Sequence, residues 1–311
     1  MLILKVRYFV LMILALFVLG ACNVTNETPE ETPTSAAPPP VTIGLLLSNR
    51  QNPFFAALQQ GAQEAATRGG ATLIVEDAQD DAQKQAEQIE ALIRRPVSAL
   101  LINPVNGEAL QAVLGEAANA GIPVFTVDRS IDSPNIVAHI ASDNVSGGEM
   151  AGSYLAEIIN QKGRVVELQG ILSTSAAQDR GRGFNNVITI YPNIQLVAQE
   201  TANFNRAEGH DVFAGILANN DQIDAVFAQN DEMILGAIDA AKEAGRADRI
   251  VFVGFDAIDD AITALENGEL SATIAQQPKE MGRLGVESAM EYLGGEDVSS
   301  FIAVDLALIT R

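Results

Sequence analysis

From Val41 onward, short runs rich in Val, Ile and Leu alternate with segments of helical period, and this alternation restricts the fold more than any other feature. Strand-like runs fall at 41–47, 72–76, 99–102, 124–127, 165–168, 196–199, 225–228, 250–254 and 272–275. Between them, 55–67, 82–94, 108–120 and 232–244 carry good helix formers. Several of these helices stop at a glycine, Gly69, Gly121 or Gly245, as a helix end needing a left-handed residue does. Near-continuous apolar strands are buried on both faces, so the rhythm predicts parallel sheets covered by helices on each side. At 311 residues the chain is too long for one ordinary core, and we expect an α/β protein of two doubly wound parallel-sheet lobes. A stretch holding Asp143, Asn144, Gly147 and Gly148 interrupts the rhythm and reads as the first crossing between lobes.

The first forty residues follow different rules. Lys5 and Arg7 precede an apolar run over 8–19, short for a membrane span, which ends in Leu19-Gly20-Ala21-Cys22. Residues 1–21 read as a signal peptide. The small residues ahead of Cys22 resemble the bacterial lipobox, which implies that Cys22 is lipidated and becomes the mature N-terminus. It is the only cysteine, so no internal disulfide is available to the folded part. Residues 22–40 are rich in Thr, Glu and Pro, end in Pro38-Pro39-Pro40 and read as a disordered, lipidated tether. Export to the outer face of the cytoplasmic membrane follows from these features. With 40 acidic against 19 basic residues, the surface repels phosphate backbones, which argues against a nucleic-acid partner.

In open parallel sheets, ligands bind beyond the carboxyl ends of the strands. Polar residues stand at those ends: Asn103 after Ile102, Asp128 and Arg129 after Val127, Asn230 after Gln229, Asp256 after Phe255 and Gln276 after Ala275. For any one of them, capping the next helix explains the residue as well as ligand contact does. Together they combine amides, carboxylates and arginines, a set suited to a polyhydroxylated ligand.

The stretches Asn52-Pro53-Phe54-Phe55, Leu101-Ile102-Asn103-Pro104, Val127-Asp128-Arg129, Glu167-Leu168-Gln169-Gly170, Gln229-Asn230-Asp231-Glu232-Met233 and Val253-Gly254-Phe255-Asp256 resemble those of periplasmic ribose-binding proteins, in order and spacing. The likeness covers nearly everything after Pro40. It implies a type I periplasmic-binding-protein fold, two lobes joined by a three-strand hinge, with 41–142 plus 277–305 in the N-terminal lobe and 143–276 plus 306–311 in the C-terminal lobe. It also implies a sugar site of Asn52, Phe54, Phe55, Asn103, Asp128 and Arg129 from the first lobe. Arg180, Phe204, Asn230 and Asp256 would come from the second, and Gln276 from the returning hinge segment. The expected partners are ribose and an ABC-type permease, with membrane contact through the lipid anchor alone; no cofactor, no metal and a monomeric body are expected. The alternative cargo is allose, another pentose or an autoinducer furanose, with or without a chemoreceptor role. Arg50-Gln51, just before Asn52, departs from the family pattern at the rim.

Two rival functions are weaker. Asp128 and Asp256 suit a carboxylate pair for glycoside hydrolysis, but each has an arginine available to keep its pKa low and make it a poor general acid. His139 and His210 lack metal-ligand spacing, and no nucleophile triad or phosphate loop is visible. A two-lobed transcriptional repressor would carry a helix-turn-helix where this chain has a signal peptide and tether.

Overall fold

The structure, a computed structural model, describes residues 40–311. The signal peptide, Cys22 and the tether up to residue 39 lie outside the described residues. The first sheet contains β1 (Thr42–Leu47), β2 (Thr72–Asp77), β3 (Ala99–Ile102), β4 (Val124–Val127) and β5 (Ile136–Ala141). The second contains β6 (Lys162–Gln169), β7 (Asn193–Thr201), β8 (Ala225–Ala228), β9 (Val251–Asp256) and β10 (Ala272–Ala275). The chain then gives β11 (Phe301–Ala303) to the first sheet and β12 (Ala307–Thr310) to the second. The orders are β2-β1-β3-β4-β5-β11 and β7-β6-β8-β9-β10-β12, the same path run twice. Only β12, antiparallel to β10, breaks the parallel pattern.

The helices are α1 (Pro53–Arg68), α2 (Ala82–Ile93), α3 (Gln111–Asn119), α4 (Asn144–Ile158), α5 (Ser175–Ile188), α6 (Arg206–Asn219), α7 (Asp231–Glu243), α8 (Asp259–Glu266) and α9 (Pro278–Leu293). Alternate strand residues feed different cores, as the two-residue side-chain period demands. Leu45, Leu47, Leu101, Phe125 and Val127 pack with Phe55, Leu58 and Met281 on one face of the first sheet. Leu46, Leu100, Ile102 and Val124 pack with Ile89 and Leu114 on the other. In the second sheet, Val166, Val226 and Phe252 join one core, and Val165, Phe227, Val253 and Phe255 the opposite one. Each fully buried side chain of this size contributes about 1.5–3 kcal/mol, so four such layers hold the two lobes without a disulfide.

Three elements depart from the sequence expectations. The Asp143–Gly148 stretch does follow the passage between sheets, but as the start of α4, capped by the Asp143 carboxylate accepting from the Ser146 N–H. Its glycines serve packing: a Cβ on Gly148 would overlap the Arg180 carbonyl oxygen of α5. Helix α3 begins at Gln111 rather than 108, because the Asn106 side chain holds the Glu108 and Ala109 N–H groups in a turn. At the end of α1 the left-handed residue is Gly70, not Gly69. The strands β5, β11 and β12 lie outside the sequence pattern: His139 interrupts the apolar run of β5, and β11 and β12 are only three and four residues long. Three segments pass between the sheets, after Ala141, Ala275 and Ala303, and at the last two Gln277 Nε2 donates to the Asp305 carbonyl.

Candidate functional site

Residues beyond the carboxyl ends of strands in both sheets line one cavity. Asn49, Asn52, Phe54, Phe55, Asp128 and Arg129 come from the first lobe, and Ala176, Arg180, Phe204, Asn230, Asp256 and Gln276 from the second. In the first lobe these positions follow β1 and β4, and in the second they end or follow each of β6 to β10, so all of them lie at the carboxyl edge of a sheet, where open parallel sheets bind ligands.

The first jaw starts with the Asn52 side chain, which accepts from the Phe54 N–H and starts α1 with Pro53 in its first turn. That entry throws Phe54 and Phe55 together edge to face, ring centroids 5.2 Å apart. Asp128 stands at the end of β4 with φ at 64°, a left-handed backbone that turns its carboxylate into the cavity. Asn103 Nδ2 donates to Asp128 Oδ2 at 2.9 Å, and Arg129 Nε lies 3.8 Å from the same oxygen. The Arg129 guanidinium sits 5.6 Å from the Phe55 ring centroid and 5.5 Å from that of Phe204, so it reaches across to the opposite lobe. Burial pulls the Arg129 pKa down, with Asp128 opposing.

The second jaw gathers Arg180 from α5, Phe204 from beyond β7, Asn230 from beyond β8 and Asp256 from the end of β9. Arg180 Nε donates to Asn144 Oδ1 at 2.8 Å and Nη1 to the Gln229 carbonyl at 2.7 Å, and Nη1 is 3.6 Å from Asp256 Oδ1. Gln276 Nε2 donates to the same Asp256 oxygen at 2.7 Å. Phe204 and Asp256 again have positive φ, 59° and 118°. Burial pushes the Asp256 carboxyl up to about 7, against the opposing pull of Arg180 and Gln276. Asp256 thus departs from the low pKa that its cationic neighbour led us to expect. Buried Asp231, the first residue of α7, is pushed up by burial and by the Asp256 charge, although Thr273 Oγ1 and the Ile258 N–H donate to it.

One direct hydrogen bond joins the lobes outside the hinge among the described residues: the Ser130 N–H donates to Ser175 Oγ at 2.8 Å. Two buried polar atoms of cavity residues, Arg129 Nε and Gln276 Oε1, have no hydrogen-bond partner. An unsatisfied buried donor or acceptor costs about 1–3 kcal/mol, which a ligand with hydroxyls offsets.

Ten of the eleven residues singled out in the sequence line this cavity, and Asn103 does not. It is wholly buried behind Asp128, with Oδ1 accepting from the Ser48 N–H and Nδ2 also donating to the Val127 carbonyl, so its bonds orient the carboxylate. Asn52 and Asn230 both cap helices and line the cavity, so the two readings of a strand-end amide hold at once. Asn49 and Ala176 were missed. Asn49 follows β1 directly and was open to the same strand-end rule; Ala176 sits in the first turn of α5 and carries no chemical signal. His139 and His210 lie in β5 and α6, and no group of residues able to hold a metal ion occurs among the described residues.

Comparison with known proteins adds an independent line. The chain matches the model of the periplasmic binding protein domain over residues 43–297. It is 43% identical to the ribose import binding protein RbsB of Haemophilus influenzae over 278 residues, covering 89% of this chain and 94% of that one. Identity to the ribose import binding protein RbsB of Bacillus subtilis is 38% over 302 residues, 97% and 98% of the two chains. Among solved structures, an ABC transporter solute binding protein from Bacillus halodurans with bound myo-inositol superposes with a TM-score of 0.83 at 31% identity, covering 87% of this chain and 94% of that one.

Proposed function

The chain belongs to the periplasmic binding protein family, and we propose that it is a non-enzymatic solute-binding protein that captures D-ribose between its lobes and delivers it to an ABC-type importer. The observation that carries this reading is the pairing of two buried Asp–Arg sets, one from each lobe, in a single cavity edged by three phenylalanines. A sugar ring has C–H faces and a polar edge, so Phe54, Phe55 and Phe204 take the faces while the charged and amide groups take the hydroxyls. Each hydroxyl is donor and acceptor, and so can serve a carboxylate and a guanidinium together. Hydrogen bonds to charged groups are worth about 1.5–3 kcal/mol each, and a sugar lacking one hydroxyl strands its partner.

Because the sugar touches both lobes, it favours the closed form, with rotation at Ser142-Asp143, Gln276-Gln277 and Asp305. The closed shape is what the permease reads. The family supports export. The Leu19-Gly20-Ala21-Cys22 sequence supports a lipid anchor at Cys22, from which the folded body, a monomer in this reading, hangs on its tether. Titration calorimetry with ribose, allose, arabinose, myo-inositol and an autoinducer furanose tests the reading. Ribose is expected to bind tightest; a tighter competitor reassigns the cargo within the polyols, and silence for all of them overturns the proposal.

A further inference from the structure

Glu167, on β6, has no exposed surface and does not line the cavity. Among the described residues no cation pairs with it. Its two oxygens instead take three side-chain amides: Oε1 accepts from Gln229 Nε2 at 2.7 Å, and Oε2 from Gln199 Nε2 at 2.7 Å and Asn185 Nδ2 at 3.0 Å. Burial pushes its pKa up and these three donors pull it back. A buried carboxylate without a counter-charge is costly to keep, and an apolar residue would fill the same space at less expense in stability.

What Glu167 accomplishes is read from its neighbour. Gln229 is also wholly buried, and an amide has one donor end and one acceptor end. With its NH2 turned to Glu167, its Oε1 is left to accept from the Gly170 N–H at 2.9 Å. Gly170 is the floor under the Phe204 ring, where a Cβ would overlap the ring atoms. The Gln229 carbonyl takes Arg180 Nη1, and the next residue is Asn230, whose Nδ2 donates to the Phe204 carbonyl at 3.2 Å. Helix α5 itself rests on Glu167, since a Cβ on Gly181 would stand 3.1 Å from Oε1.

We propose that Glu167 is a positioning residue for the second jaw: by accepting from Gln229 it fixes which way that amide faces, and through it the places of Phe204, Arg180 and Asn230. The proposal rests on the ribose reading above. In Glu167→Gln, an NH2 group replaces one acceptor. Whichever way the new amide turns, either Gln229 or the Asn185 and Gln199 pair meets a donor, and a flipped Gln229 carries the mismatch to the Gly170 N–H beneath Phe204.

The test is ribose titration calorimetry at a temperature where circular dichroism shows every variant folded. Wild-type binding is the control, and its absence fails the ribose reading and not this one. With wild type binding, E167Q is expected to weaken ribose tenfold or more. Gln199→Leu, which removes a donor only from the far oxygen, is expected to stay within threefold even where it lowers the melting temperature. The exchange E167Q with Gln229→Glu restores every hydrogen bond with the roles reversed, and is expected to return affinity to within threefold of wild type. Should E167Q not fold, Gln229→Met replaces it, with the same tenfold loss expected. Wild-type affinity in the single variant, affinity losses that merely track lost stability across the set, or no recovery in the exchange each overturn the proposal.

Discussion

In the first lobe the acid and the base of the jaw are chain neighbours, Asp128 and Arg129, backed by the neutral amide of Asn103. In the second, Arg180 and Asp256 come from α5 and from the end of β9, and two further buried carboxylates, Asp231 and Glu167, stand behind them. The strand path is the same in both lobes, so topology does not set this difference. One jaw is locally balanced; the other holds more buried acid than base. Two consequences follow for binding. Arg129 lies over Phe204 on the acid-rich side, and the raised carboxyl of Asp256 makes the second jaw the one to test for pH sensitivity.

The largest effect that separates the jaws is expected from Arg129→Ala. It strands Asp128 and removes a guanidinium placed over rings of both lobes, so ribose affinity should fall by more than about 2 kcal/mol, read by calorimetry. Affinity like that of wild type would place Arg129 outside the site.

Asp256→Asn sharpens the comparison by setting stability against binding. The folded-state pKa near 7 lies above the ordinary value of 3.8, so the folded protein holds the extra proton between those values. Unliganded stability should therefore rise as pH falls from about 8 toward 5, and be lost as pH rises through about 7. The Asn variant should lack this trend and gain stability at about pH 8, on the order of a few kcal/mol, in urea unfolding. Ribose binding should run the other way: hydroxyls donating to the carboxylate favour its charged form, so wild-type affinity should drop below about pH 7, by up to tenfold per pH unit. Parallel trends, or a wild-type profile in the variant, break this account of the second jaw.

A third variant tests how Arg180 is held. Gly148→Ala pushes a methyl into the Arg180 carbonyl where α4 crosses α5, and should cost about 1–3 kcal/mol of stability by overpacking, with weaker ribose binding as α5 shifts. The smallest effect is expected from Ser175→Ala, which deletes the Ser130–Ser175 bond between the lobes. A net hydrogen bond is worth about 0.5–1.5 kcal/mol, so all sugars should weaken together, by about tenfold at most, with their order unchanged. A changed order of sugars would make Ser175 a ligand contact instead of a closure contact.

Most of the fold was legible because nine strands carry their own apolar runs, and a buried parallel strand has to. The other three strands signal less: His139 interrupts the apolar run of β5, while β11 and β12 are short and begin with Phe301 and Ala307 open to solvent, their pairing decided by the sheet edge they reach. The cavity was legible at strand ends, where residue type and position coincide, and in the resemblance that supplied Arg180 and Phe204. What no local pattern could give is depth. Asn103 and Asp128 both end strands, yet one lies behind the other, and the raised pKa of Asp256 depends on burial that only the assembled lobes create.

The backbone under the two cleft carboxylates limits what this protein can be turned into. Asp128 and Asp256 stand at φ of 64° and 118°, conformations that side chains other than Asn, Asp and Gly adopt at a cost of about 1–3 kcal/mol. Engineering the cleft as a sensor for a different metabolite therefore has little vocabulary at those two places, where an amide is the one gentle exchange that keeps a polar side chain. New selectivity is better sought at Asn49, Asn52 and Gln276, whose extended or ordinary backbones accept a wider alphabet.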